Sequence, residues 1–78
     1  MTSYLVLTVI GDDRPGLVES LAVVIAENAG NWLESSMSQL AGKFAGILEV
    51  SVDDISLDQL ELALGSLKGL KLTIERVI

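Results

Sequence analysis

Along the chain the spacing of hydrophobic positions changes several times, and each change marks an element. From Ser3 to Ile10 both parities are apolar, with Leu5, Leu7 and Val9 on one side and Tyr4, Val6 and Ile10 on the other. Such a run predicts a central strand covered on both faces. From Asp13 to Ala29 the period becomes helical. Val18, Leu21, Ala22, Ile25 and Ala29 form one face, Leu17 and Val24 lie beside it, and Glu19, Ser20 and Glu27 mark the solvent side. Val23 falls between Glu19 and Glu27 and is expected at the surface, and Gly30 is placed to stop the helix. Asn31 to Leu40 is far more polar, carrying Glu34, Ser35, Ser36, Ser38 and Gln39 around Trp32, Leu33 and Met37. That is the composition of an edge strand, and its uneven parity is what a bulge produces. Trp32 is expected against the core in preference to an edge contact.

Ala41-Gly42-Lys43 reads as a short hairpin connection. After it, Phe44, Leu48, Val50 and Val52 alternate with Ala45, Ile47, Glu49 and Ser51 in a strand with one wetter face. Ser56-Leu57-Asp58-Gln59 fits a capping box and precedes the stripe Leu57, Leu60, Ala63, Leu64 and Leu67, predicting a helix over Leu57–Lys68 that Gly69 ends. Gly65 inside it costs about 1 kcal/mol relative to alanine, so this helix relies on packing. Leu70, Leu72 and Ile74 then alternate with Lys71, Thr73 and Glu75. The pattern is still strand-like at Ile78, with no polar tail, which leads us to expect a piece of a longer protein.

The order βαββαβ, under right-handed crossovers, predicts an α+β, ferredoxin-like sandwich: an antiparallel four-stranded sheet ordered 4-1-3-2 with two helices on one face. The strand that comes second in the chain then lies at an edge, as its polarity requires. The turn Gly11-Asp12-Asp13-Arg14-Pro15-Gly16-Leu17 joins the first strand to the first helix. Asp13 is a candidate N-cap, Pro15 suits a first helical turn, and Gly16 lets a strand or small ligand approach the backbone. Two readings are open: the turn only caps and reverses the chain, or it seats a zwitterion, its anion on the helix amides and its ammonium on Asp13. On the residues alone the first is preferred.

Composition narrows the chemistry. Seventy-eight residues make one domain at most. Half of them are hydrophobic and the mean hydropathy is +0.55, more apolar surface than one small core hides, so self-association or a covalent neighbour domain is expected. No apolar run approaches the roughly 20 residues of a membrane span and no signal-like segment leads the chain, which reads as soluble and cytoplasmic. Cysteine and histidine are absent, removing disulfides, thiolate nucleophiles, Ser–His catalysis and the usual metal ligands. A net charge of −6 with only five Lys and Arg disfavours direct contact with nucleic acid. The close acidic pairs Asp12/Asp13 and Asp53/Asp54 fall at opposite ends of this sheet and cannot share an ion. No enzyme activity and no cofactor are expected.

Asp13-Arg14-Pro15-Gly16-Leu17-Val18, followed by Asn28-Ala29-Gly30-Asn31 where the first helix meets the second strand, resembles an ACT domain over essentially the whole chain. The opening from Gly11 to Gly16 is similar in particular to the N-terminal domain of the glycine cleavage system transcriptional repressor group. The resemblance implies a regulatory module that pairs as a homodimer or repeats as a tandem ACT domain, often joining sheets at an edge and holding glycine or a similar small amino acid at the interface. It also implies action on a DNA-binding activator protein without contact to DNA. The ligand positions it implies are Asp13, Gly16 and Asn31, with Asp12, Arg14 and Leu17 beside them in the same turn. Asp13 departs from the asparagine of serine-binding relatives: a carboxylate there favours an ammonium and repels a carboxylate. The alternative is a ligand-free module that only pairs domains or docks a partner. Asp13 and Asn31 are expected about a strand length apart within one chain, meeting only if two chains pair antiparallel through their second strands.

Overall fold

The computed structural model describes residues 1–77, running in the order β1 (Thr2–Asp12), α1 (Leu17–Glu27), β2 (Gly30–Leu40), β3 (Lys43–Asp53), α2 (Asp54–Gly65) and β4 (Leu70–Val77). The strand character expected at Ile78 lies outside the described residues. Every strand pairing is antiparallel and the sheet order is β2-β3-β1-β4, the expected arrangement. β1 sits inside the sheet, with Leu7 facing Leu48 of β3 on one side and Ile74 of β4 on the other.

One face of the sheet carries the core. Leu5, Leu7 and Val9 of β1 and Phe44, Leu48, Val50 and Val52 of β3 are buried beneath Leu21 and Ile25 of α1 and Leu57, Leu60 and Leu64 of α2. α1 leans on β2 and α2, while α2 crosses β3, β1 and β4. The opposite face has no helix, so the double coverage expected for β1 is not realised: Tyr4 and Ile10 remain over two-fifths exposed, at 43% and 46%. Alternation along β1 is apolar on both sides for a reason other than two helical layers.

The helix boundaries also differ from the expected ones. α1 begins at Leu17 rather than near Asp13, leaving Pro15 in the preceding loop. Its buried stripe is Leu21 and Ile25 flanked by Leu17, Val24 and Asn28, whereas Val18 and Ala22 face outward, because the helix is rolled toward β2. Val23 is exposed, as expected. α2 begins at Asp54, so Ser56 lies inside its first turn, and the Gln59 side chain donates to Asn28 Oδ1 across the helix pair (3.0 Å) instead of closing a capping box. The helix stops at Gly65 rather than Lys68, although Leu67 still packs on the core.

β2 carries the bulge. Trp32 pairs with Val50 and Glu34 with Glu49, leaving Leu33 without a partner. One extra residue inverts the parity, so Trp32 and Met37, an odd number of positions apart, both pack against the core from the same side. Ala41 and Gly42 make the two-residue hairpin turn, both with positive φ (54° and 76°), the conformation that matches strand twist. At the other edge, the Arg76 guanidinium of β4 reaches over the core face to α2, donating to Glu61 at 2.8 and 3.1 Å and to Asp58 at 3.4 Å.

Hydrogen bonding from Arg76, helped by charge attraction and opposed by partial burial, holds the Glu61 carboxyl below the usual glutamate value of 4.5. A depressed folded-state value stabilises the fold above the ordinary carboxylate range, and the contribution is lost as the pH falls through it. Glu61→Gln is therefore expected to lower stability at neutral pH by up to about 1 kcal/mol, with the difference from wild type shrinking as the pH falls through the carboxylate range in denaturation series. Leu60→Ala, at a fully buried contact between α2 and the sheet, is expected to cost about 2–5 kcal/mol in the same assay.

Candidate functional site

Three connections meet at one end of the sheet: residues 13–16 before α1, the Ala41–Gly42 turn, and residues 66–69 before β4. The β1–α1 connection is tied down by backbone bonds. The Asp13 N–H donates to the Gly42 carbonyl (2.9 Å), and the Arg14 N–H turns back to the Asp12 carbonyl (2.8 Å). Gly11 permits the third connection to close over β1, since a Cβ there would stand 2.8 Å from the Gly69 carbonyl oxygen.

Between the start of α1 and the end of β2 lies a cleft of about 200 Å³ lined by Asp13, Arg14, Val18, Met37, Gln39 and Phe44. Asp13 does not cap α1 as expected: its carboxylate accepts from Gln39 Nε2 (3.0 Å) across the cleft. The N-cap is Gly16, at φ 92°, so no side chain caps the first-turn amides; the Leu17 N–H donates to the Arg14 carbonyl (3.5 Å), and Ser20 Oγ donates to the Gly16 carbonyl (2.8 Å). Nothing stands within 4 Å of the place a Cβ on Gly16 would occupy, so the requirement for glycine is conformational, not one of close approach. The result is an uncapped helix N-terminus, a carboxylate and a guanidinium around one small hollow.

The expected site residues are thus divided. Asp13 and Arg14 line the cleft, with Gly16 and Leu17 at the helix start behind it. The Arg14 guanidinium also lies against Gly69, whose Cβ, if present, would be 3.1 Å from Nη2, and Leu17 packs on the same glycine. Asp12 is on the other face of the sheet, in a salt bridge with Lys43, its partner across β3. Hydrogen bonding and charge attraction from Lys43, with a smaller contribution from Arg14, hold its carboxyl below the ordinary aspartate range. Asn31 is at the far end of β2, opposite Ser51, where its amide donates to Ser51 Oγ at 3.4 Å. Met37, Gln39 and Phe44 were not among the expected residues. Their signal was the hairpin register, because a two-residue turn pairs Gln39 with Phe44 and the next strand sets Phe44 against Gly11.

Among the described residues, no group of three or more Asp or Glu is disposed to hold a metal ion, and no helix is long and apolar enough to cross a membrane. A one-sided antiparallel sheet, two helices and a polar cleft at the β1–α1 turn define a ferredoxin-like βαββαβ module. The ACT domain family model matches residues 3–75, and the chain belongs to that family as an ACT regulatory domain.

Among relatives, a UPF0237 protein from Methanococcus maripaludis is 33% identical over 75 residues, covering 90% of this chain and 83% of that protein. The crystal structure of a candidate glycine cleavage system transcriptional repressor superposes over the whole chain with a TM-score of 0.90 at 22% identity. A structure of unknown function from Galdieria sulphuraria matches over the whole chain with a TM-score of 0.79 at 29% identity. This chain spans 47% and 46% of those two, about half the length of each.

Gly16 and Gly65 are both open to solvent, but only Gly16 has a positive φ. Gly16→Ala is expected to destabilise the domain by about 1–2 kcal/mol through backbone strain. Gly65→Ala, on a helix, is expected to stabilise it by about 0.5–1 kcal/mol, with urea midpoints as the measurement.

Proposed function

We propose that this domain is a ligand-responsive regulatory module that binds a small amino acid, glycine being the simplest, and acts through protein–protein contacts. The observation that carries the reading is the start of α1, without a side-chain cap at Gly16, lying behind a cleft lined by the Asp13 carboxylate, Arg14 and Val18. Free amides at a helix start attract a carboxylate, and Asp13 attracts an ammonium, so the cleft has the polarity of an amino acid backbone. A hollow of about 200 Å³ suits a ligand with little or no side chain.

β2 is an edge strand, and its neighbour α1 presents Val18 and Ala22 outward. Antiparallel pairing of two β2 edges about a two-fold axis carries Asn31 of one chain toward the Asp13 end of the other, completing two equivalent sites. The fold likeness to a candidate glycine cleavage system transcriptional repressor, of which the chain spans 47%, supports the narrower reading of one half of a tandem ACT protein acting on a DNA-binding activator. In that arrangement the second ACT domain supplies the opposing β2 edge.

Titration with glycine, serine and alanine is expected to move backbone amide resonances at Asp13–Val18 and Asn31. A localised response supports the module as a sensor, and an absence of response to all three identifies a ligand-free assembly module. Asp13→Ala and Asn31→Ala are each expected to weaken binding by about ten- to a hundredfold, the cost of one charge-assisted contact. A mixed dimer of the two variants keeps one intact site, so calorimetry on the exchanged mixture is expected to recover part of the heat.

A further inference from the structure

The end of the sheet that carries the cleft holds a second hollow, of about 460 Å³, on the helix-free side. Asp12 of β1, Lys43 of β3 and Lys71 of β4 line it, with Ile10 and Leu70 supplying apolar surface and Gly69 only backbone. Register explains the grouping, because Asp12 lies opposite Lys43 and Ile10 opposite Lys71, so all four side chains share one face. Two strand spacings and two residues separate the lysines, roughly 12 Å between backbones. Two flexible four-carbon stems can bring both ammoniums to one ligand across that distance. Lys43 is paired with Asp12, whereas Lys71 is in no salt bridge among the described residues.

The charge of this corner runs against that of the chain. Although the net charge is −6 with only five Lys and Arg, four of them, Arg14, Lys43, Lys68 and Lys71, lie in or next to the three connections at this end. Asp13 and Glu19 belong to the helix side of the turn, Asp13 bonded to Gln39, so Asp12 is the carboxylate that lines this hollow. Arg14 stands behind the rim, its Nη2 3.1 Å from where a Cβ on Gly69 would be. Lys43 and Arg14 together hold the Asp12 carboxyl below its ordinary range, as a positive local field does.

We propose that this hollow binds a small organic phosphate, its dianionic group between Lys43 and Lys71 and its organic part against Ile10 and Leu70. Three cations around one carboxylate leave an excess that a dianion balances. Lysine ammoniums act as point charges suited to phosphate, and no planar fork here selects a carboxylate in preference. The volume falls in the range of small-molecule sites, about 300–1,000 Å³, and the apolar wall gives the organic part a contact. Asp13, Met37 and Gln39 line the amino acid cleft on the other side of the sheet, so this site does not rest on amino acid binding.

The test is titration of the chain with phenyl phosphate at constant ionic strength and about pH 8, where a phosphate monoester is a dianion, read by backbone amide resonances. Shifts at Gly11, Asp12, Lys43 and Gly69–Lys71 are expected to saturate below about 10 mM, within reach of one or two charge-assisted contacts. Lys43→Gln and Lys71→Gln are each expected to weaken binding about five- to tenfold, and Asp12→Asn, which removes the carboxylate competing for Lys43, to tighten it about two- to fivefold. Asp13→Ala is expected to leave the affinity unchanged. Circular dichroism checks that each variant is folded. Benzenesulfonate, with the same ring and one charge fewer, is expected to bind at least about fivefold more weakly, and inorganic phosphate likewise for want of the apolar contact. No saturable shift, or an affinity indifferent to both lysine changes, would overturn the proposal. Equal binding of benzenesulfonate overturns the dianion, and equal binding of inorganic phosphate overturns the ester in favour of the free ion. Shifts confined to Asp13–Val18 overturn it as well, placing the anion at the start of α1.

Discussion

Burial of Leu5, Leu7 and Val9 beneath a single pair of helices is the contact from which the rest of this structure follows. Those side chains lie on the strand with neighbours on both sides, so they fix the register of β3 and β4 at once. Shifting β1 by one residue would turn all of them to the open face and bring Tyr4, Val6 and Thr8 under the helices. The fixed register then dictates what meets at each end of the sheet. Gly11 falls beneath the α2–β4 connection, Asp13 falls beside the hairpin turn, and Gln39 comes within reach of Asp13.

Much of this architecture was legible in the order and period of the elements. Strand alternation in β3 and β4, the polarity of β2 and the glycine-marked turns were enough to specify the topology. What could not be read was the placement of helix starts. Asp13 and Ser56 each have the chemistry of a cap, but a cap is decided by where the chain first enters helical dihedrals, and distant contacts decide that. Asp13 is drawn away by the Gly42 carbonyl and Gln39, and the first helix waits until Gly16 reverses the backbone. α2 starts early because Asp54 is already held at the sheet, its N–H bonded to the Met1 carbonyl and its carboxylate accepting from Ser3 Oγ.

The apolar residues on both parities of β1 show a different limit. Sequence reports that a side chain is hydrophobic without reporting what covers it. Tyr4, Val6 and Ile10 were read as lying on a covered face, yet both helices belong to the other side. The candidate site divides along a similar line. Asp13, Arg14, Gly16 and Leu17 are neighbours because they are consecutive in one turn, and Asp12 is separated from them by strand alternation alone. Asn31, at the other end of an 11-residue strand, is not brought to them within the chain.

The unpaired Leu33 has one more consequence, for the fate of the exposed edge. A straight, regular edge strand is a template on which chain after chain can add, and the product is a fibre. The extra residue breaks the ladder near the start of β2 and sharpens its twist, leaving the seven residues from Glu34 to Leu40 as the regular stretch. An edge so shortened is a smaller template for strand addition. At the opposite edge, Lys71, Glu75 and Arg76 crowd β4 with charge. The same kink that lets Trp32 and Met37 share the core thereby interrupts the exposed edge, one of the devices by which edge strands are blunted against edge-to-edge pairing.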